Sequence, residues 1–474
     1  MLYNTKYKLN LKIFNYNINV KIMNESTEKL RGEKSTSKKL LFGLPRLGTS
    51  IVLGVESWAL LTLYTSGYGL NTILAGLAIA MGYLTIAASQ FLFGWLSDAK
   101  YTKFGRRKPY LIIFGPLLGL STIFLLLPSM FLPDLNDQFA LFLWMLVWDV
   151  LFRVGYALTT PYQAWMAEVF DINDRPKVSQ YQNTFNFVGN GIMALFSLLI
   201  VTSFVDALKV DVNASVPMIY LIPIIIFGIL VVVLFYLIAF LFPTEPNYEI
   251  KSNLKESLRA TVQNKNFMLI VFMMGISGFG WSMLSTGMLK YLNDALQLST
   301  TEYLIAAVVL LLSIFIFLYL WRKTIEKKGK KATLLYVFIL AVFFLPITLL
   351  SFIPMSSHLI LGILFIAGVG AILGGWYLFP YIVYADVAED DEKSTGDLKA
   401  GTYAGFPSII LNLFQAVGAF VIGALFDLPK ITVGSLEPFS IGLAFFGPLC
   451  SLILIVSYFY TKKYVKLDFD WEKK

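Results

Sequence analysis

Twelve long apolar runs separated by polar gaps organise this chain, and they predict helices over residues 47–68, 72–97, 109–131, 139–161, 180–205, 216–242, 266–290, 300–321, 332–354, 357–385, 401–427 and 437–461. Each meets or exceeds the roughly 20 residues that a helix needs to cross the hydrocarbon core of a bilayer. The longest internal polar stretch, PTEPNYEIKSNLKESLRATVQNK at 243–265, falls midway. It is expected to tether two halves, with a short amphipathic helix lying on the membrane surface as one reading and a plain tether as the other. The expected organisation is therefore a disordered N-terminal tail (1–46), a six-helix bundle (47–242), a linker (243–265), a second six-helix bundle (266–461) and a C-terminal tail (462–474). An Asn, Lys and Ile bias in the first 22 residues gives way to an ordinary polar stretch at Met23, which is the expected natural start of translation.

The basic residues support this span count. When the gaps are assigned alternately to two sides, three of the 38 Lys and Arg residues (Lys209, Lys290 and Lys430) fall on one side and Arg153 lies inside a span, leaving 34 on the other side. Lys and Arg accumulate on the cytoplasmic side of membrane proteins, so both termini are expected in the cytoplasm and the chain in the cell membrane. A miscounted span would scramble the alternation. Hydrophobic residues make up 57% of the chain and charged residues only 14%, a balance that no water-soluble domain of this size shows. The net charge of +8 is then a property of one membrane face in contact with anionic lipid, and no nucleic-acid partner is expected. A single cysteine, Cys450, rules out an intramolecular disulfide and a cysteine metal cluster; a single histidine, His358, rules out paired-histidine haem ligation. No metal, no cofactor and no enzymatic activity are expected.

The two halves repeat weakly in their gaps. FGRRKPYL at 104–111 is echoed by KGKKATLL at 328–335, and PYQAWMAEV at 161–169 by PYIVYADV at 380–387, offsets of 224 and 219 residues. The segment GWLSDAKYTKFGRRKPYL at 94–111 resembles the loop between the second and third helices of major facilitator transporters, in the variant found in sugar:cation symporters of the glycoside-pentoside-hexuronide group. PYQAWMAEVFDINDRPKVSQYQ at 161–182 and ADVAEDDEKSTGDLKAGTYAG at 385–405 are similar to two further loops of that group. The resemblance implies an all-α membrane protein with two six-helix bundles, acting as a monomer and moving a sugar or glycoside by alternating access through a site between the bundles. It also implies that Asp98, Arg106, Arg107, Arg175 and Asp386 belong to gates at the inner loops, although the positive-inside rule alone would also account for the arginines. Relatives of these loops also occur on carriers of lysolipids, organic acids or drugs, and a non-transporting receptor or scaffold is the alternative from another class.

Ionisable residues inside a span are costly and usually functional. Glu56 sits halfway along the first helix, and Asp149 and Arg153 lie four apart on the fourth, so they share a face. Two acids against one base leave one carboxylate to be neutralised by a proton, by Na⁺ or by substrate. Glu56 is the expected titrating group, since Asp149 has Arg153 one turn away, and Asp149 with Arg153 is expected to bind substrate hydroxyls. A structural ion cluster pinning helices one and four together is the other reading. The melibiose-type resemblance fails here. Its helix-two cation carboxylates fall at Ile86 and Gln90, its sugar-binding acids near Ser50 and Thr159, and its helix-eleven lysine near Asn412. A proton symporter or a uniporter is thus favoured over a Na⁺ symporter.

Aromatic platforms and amides are the side chains that recognise sugars. Trp58, Tyr64, Gln90, Trp148, Tyr156, Trp281, Trp376, Tyr377, Asn412 and Gln415 are the candidates for contact with the cargo. Asn183, Asn186 and Asn190 form one polar face of the fifth helix, which either lines the cavity or bonds to a neighbouring helix.

Overall fold

The computed structural model describes residues 35–170, 174–244, 262–355, 357–376, 378–379, 383, 387, 390 and 400–468. Among these, twelve helices are long and apolar enough to cross a membrane: α1 (Thr36–Gly67), α2 (Thr72–Ser97), α3 (Lys108–Leu126), α4 (Gln138–Met166), α5 (Lys177–Val210), α6 (Met218–Leu241), α7 (Lys265–Ala295), α8 (Thr301–Lys328), α9 (Lys330–Phe352), α10 (Leu359–Trp376), α11 (Phe406–Phe426) and α12 (Gly442–Tyr464). Twelve is an even number, so the chain returns to the face from which it set out. We call this the terminal face and the opposite one the distal face.

Local chemistry sets several boundaries. Asn71 caps α2 by accepting from the amides of Ile73 and Leu74, Asp137 does the same for α4, and Asn264 caps α7. Gly329, at φ +84°, ends α8 and begins α9 in a single residue, a backbone conformation that disfavours any side chain. The distal ends of α1 and α7 widen to π geometry at Leu63–Gly67 and Tyr291–Ala295, and α5 does so within its length at Phe196–Val201, before the α-helical stretch Thr202–Val210. Residues 36–46, expected in a disordered tail, are instead helical. Ser35 caps their first turn, and Phe42 is held in a ring cluster with Tyr162, Trp165, Phe170 and Phe242. The rest of the N-terminal tail, the expected linker helix and most of residues 377–399 lie outside the described residues.

Helices α1 to α6 pack among themselves, α1 against α5 and α6 and α4 against α2 and α3. In the second half α7 packs against α11 and α12, α8 against α10, and α9 against α12. The halves meet along α2 with α11, α1 with α7, and α5 with α8. On the outside, Ile219, Ile222, Ile226, Ile229 and Val233 of α6 repeat at helical spacing with 46–69% of their surface uncovered. In water this stripe would be a large apolar patch; in a bilayer it meets lipid tails. A two-stranded hairpin, β1 (Lys430–Ile431) with β2 (Phe439–Ser440), stands between α11 and α12 on the distal face.

Candidate functional site

Glu56, Asp149 and Arg153, the charged residues deep within their spans, do come together, but in a different pairing from the expected one. Arg153 reaches across to α1, where its Nη2 donates to Glu56 Oε1 at 2.5 Å, while its Nε stays 3.7 Å from Asp149 Oδ1 on its own helix. Glu56 also accepts from the Ser57 hydroxyl at 3.1 Å. Both oxygens of Asp149 are buried with no hydrogen-bond donor among the described residues. The reason is reach: an Arg can span two helices, whereas the short Asp149 carboxylate stays where α2 passes closest. Gly82 makes that passage possible, since a Cβ there would overlap the Asp149 carboxylate. The ring of Tyr83, next along α2, lies 4.4 Å from the Arg153 guanidinium, close enough for a cation–π contact.

Glu56, the expected titrating group, is sealed between helices. The exposures of Glu56, Asp149 and Arg153 are 3%, 0% and 2%. The spare carboxylate is thus Asp149, and the cluster forms part of the wall between α1, α2 and α4. It lies one side chain from the boundary between the halves, because Tyr83 meets Ser282 of α7 on its other side. Ser282 in turn donates to the backbone carbonyl of Gln415 on α11 at 3.0 Å.

The basic loop after α2 ties the first bundle together at the terminal face. Arg107 donates to Glu168 at 2.7 Å and to Ser97 at 2.6 Å, Lys108 to the Phe242 carbonyl at 2.7 Å, and Arg106 lies over the Tyr101 ring. Lys39 pairs with Asp174 at 2.5 Å. The side chains of Asp98 and Arg175, and the whole of Asp386 and Tyr377, lie outside the described residues. A polar strip runs along the same end of the bundle. Arg46 donates to Gln163 at 2.8 Å, Gln182 donates to the Tyr162 hydroxyl at 2.9 Å, and Ser50 bonds Asn186. Asn186 therefore joins α5 to α1, while Asn183 is exposed and Asn190 half-buried.

The aromatic candidates separate into two groups. Tyr64 donates its hydroxyl to the Leu125 carbonyl at 2.7 Å, and Trp148 stacks on Phe124 at 4.3 Å beside Trp144, so both belong to the packing of α1, α3 and α4. Trp58 is buried, and Gln90 and Tyr156 are half-buried. In the second half, Trp281 of α7 and Trp376 of α10 lie with ring centroids 5.3 Å apart, and the Trp281 indole N–H is buried without a hydrogen-bond partner among the described residues. Asn412, 8% exposed, and the half-buried Gln415 stand on α11, which packs along α7.

Sequence reasoning missed Gly82 and Tyr83, as well as a set of side chains on the distal face. There a cavity of about 810 Å³ is lined by both halves and holds Lys209, Lys290 and Lys430 in its wall. The one available signal was that these are the three lysines on the side otherwise free of basic residues.

Comparison with known proteins accords with this architecture. The family model described as MFS/sugar transport protein matches residues 41–461. An uncharacterized symporter of Synechocystis sp. is 24% identical over 170 residues, which is 35% of this chain and 31% of the relative, so the match spans about a third of that protein's length. Among solved structures, the inward-open xylose transporter from E. coli superposes with a TM-score of 0.62 at 15% identity, covering 92% of this chain and 97% of that one. A bacterial homologue of the human lysosomal transporter Spinster, in an inward-facing and occupied conformation, gives 0.61 at 14% identity over 91% and 97%. A nucleoside transporter gives 0.56 at 13% over 90% and 98%. At these identities the solved structures speak for the fold alone. The family model covers nearly all of the twelve helices, and the chain therefore belongs to the MFS/sugar transport protein family, as a multi-pass membrane transporter and not an enzyme.

Proposed function

We propose that this protein carries a sugar or glycoside across the cell membrane by alternating access, coupled to a proton, with both termini in the cytoplasm. The observation that carries the coupling is the Asp149 carboxylate, buried beside an Arg–Glu pair with no donor to either oxygen among the described residues. With a proton on Asp149, the cluster holds one negative and one positive charge. Without it, an additional negative charge stands in a sealed site, which is strongly unfavourable. Tyr83 sets the cluster one residue from α7, so a shift between the halves can open a path to Asp149. The role first expected of Glu56 passes to Asp149 in this reading, and Glu56 with Arg153 becomes its fixed counterpart.

For the cargo, support comes from the adjacent Trp281 and Trp376 rings of α7 and α10, with the Trp281 indole N–H unpartnered among the described residues, and from Asn412 and Gln415 on α11. Such a combination of ring faces and amides suits a pyranose, whose C–H faces stack and whose hydroxyls bond in pairs. The family description, a sugar transport protein, supports the same cargo, and the relative described as a symporter supports coupling to an ion.

Uptake of labelled sugars into proteoliposomes under an imposed pH or Na⁺ gradient tests both parts. Accumulation is expected with acid outside and not with Na⁺ alone, and it rises as external pH falls. Asp149→Asn is expected to retain exchange of the cargo while losing accumulation and its dependence on pH. Undiminished proton-driven accumulation by Asp149→Asn would overturn the coupling assignment. Transport of a lysolipid, organic acid or drug in place of every sugar would overturn the cargo.

A further inference from the structure

The lysines on the distal face stand at the seam between the halves. Lys290 of α7 donates to Ser66 of α1 at 2.6 Å and to Asp294 on its own helix at 2.7 Å, and Ser66 donates to Asp294 at 2.8 Å. Lys209 of α5 donates to Asn293 of α7 at 2.5 Å, lies 3.5 Å from Asp294 and 3.4 Å from Asp206 on its own helix, and Asn293 donates to Asp206 at 3.3 Å. A second tie lies nearby, where Asn71 and Thr72 at the start of α2 both donate to Asp427 just beyond α11, at 3.1 and 3.2 Å.

Ser66 and Asp294 are 228 residues apart and occupy matching places in the two π-turns. In one half the Tyr68 amide donates to the Leu63 carbonyl and the Leu70 amide to the Tyr64 carbonyl. In the other, the Leu296 amide donates to the Tyr291 carbonyl and the Leu298 amide to the Leu292 carbonyl. The seam is thus crossed where the two repeats present equivalent turns to each other. π-turns inside α-helices concentrate at functional positions, because the extra residue re-aims the side chains that follow.

We propose that Ser66, Lys209, Asn293, Asp294 and Lys290 form a distal latch whose ion pairs are arranged so that it can open without stranding a charge. Each cation has a carboxylate on its own helix, Asp206 for Lys209 and Asp294 for Lys290, at helical spacing. Separation of the halves breaks the hydrogen bonds from Ser66 to α7 and from Lys209 and Asp206 to Asn293, which water can replace, and it also parts Lys209 from Asp294, each of which has a second partner on its own helix. Lys209 then keeps Asp206 and Lys290 keeps Asp294. A latch with its only ion pairs across the seam would leave bare charges when open and would hold the transporter shut. The latch rests on the fold and family and not on the sugar reading.

A thiol reporter tests this without any cargo. Thr62 lies one turn below Ser66, is fully buried, and its hydroxyl has no hydrogen-bond partner among the described residues; the native Cys450 is also fully buried. In purified protein, maleimide labelling of Thr62→Cys reports opening of the distal side. Adding Ser66→Ala with Asn293→Ala removes the cross-seam hydrogen bonds and leaves the ion pairs of Lys209 with Asp206 and Asp294 and of Lys290 with Asp294, and is expected to raise the labelling rate roughly tenfold, the shift that about 1.4 kcal/mol produces. Asp206→Asn removes the fallback partner of Lys209 and is expected to lower the rate below that of the reporter alone. Lys430→Ala, in the same cavity wall but outside the network, serves as the control and leaves it unchanged. An unchanged rate in the Ser66→Ala and Asn293→Ala variant, or faster labelling in Asp206→Asn, would overturn the latch.

Discussion

At the scale of single residues, the Arg153 and Glu56 side chains are each only 2% exposed, so removing one partner strands the other. Arg153→Met is expected to lower stability by about 3–5 kcal/mol, while Glu56→Gln combined with Arg153→Met recovers most of the loss. Thermal unfolding in detergent measures both, and a double variant as unstable as the single one would mean that packing, not charge, dominates. The three ionisable residues were legible in the sequence because charge is so rare within the spans. Their pairing was not. A spacing of four names neighbours on one helix, but it says nothing of an arginine that reaches a helix 97 residues earlier, nor of Gly82 clearing space for Asp149.

Among the elements, α2 and α11 meet across the seam backbone against backbone at Gly76 and Gly423. A Cβ added at Gly76 of α2 would lie 2.8 Å from the Ala419 carbonyl oxygen and 2.9 Å from the Gly423 Cα of α11, too near for either to give way cheaply. Gly76→Val is expected to force these helices apart near the distal face, raising labelling of the Thr62→Cys reporter and slowing transport at a stability loss of roughly 1–3 kcal/mol. Labelling and transport both equal to the parent's would show that the helices do not need this contact. Helix number and order were readable from hydrophobic runs, since bilayer thickness sets a minimum length that few other segments reach. Helix starts were less so: α1 begins at Thr36 because Phe42 finds a ring cluster built from the end of α4 and the residues after α4 and α6, and that cluster exists only once the bundle has formed.

For the whole molecule, an even number of spans puts the two ends of the helical array on one face, and we assign that face to the cytoplasm on the lysine and arginine count. An antibody to a C-terminal tag is expected to bind cells only after permeabilisation; binding to intact cells would reverse the assignment. The sequence by itself determined the twelve spans, their alternation and the family, because each follows from short stretches meeting lipid or from motifs contiguous in the chain. Tertiary structure alone decided which acid holds Arg153, that the charged cluster is sealed in a wall, and that lysines from two halves meet at one seam. Those outcomes depend on side chains from helices as far as 228 residues apart approaching within hydrogen-bond distance, which no local pattern encodes.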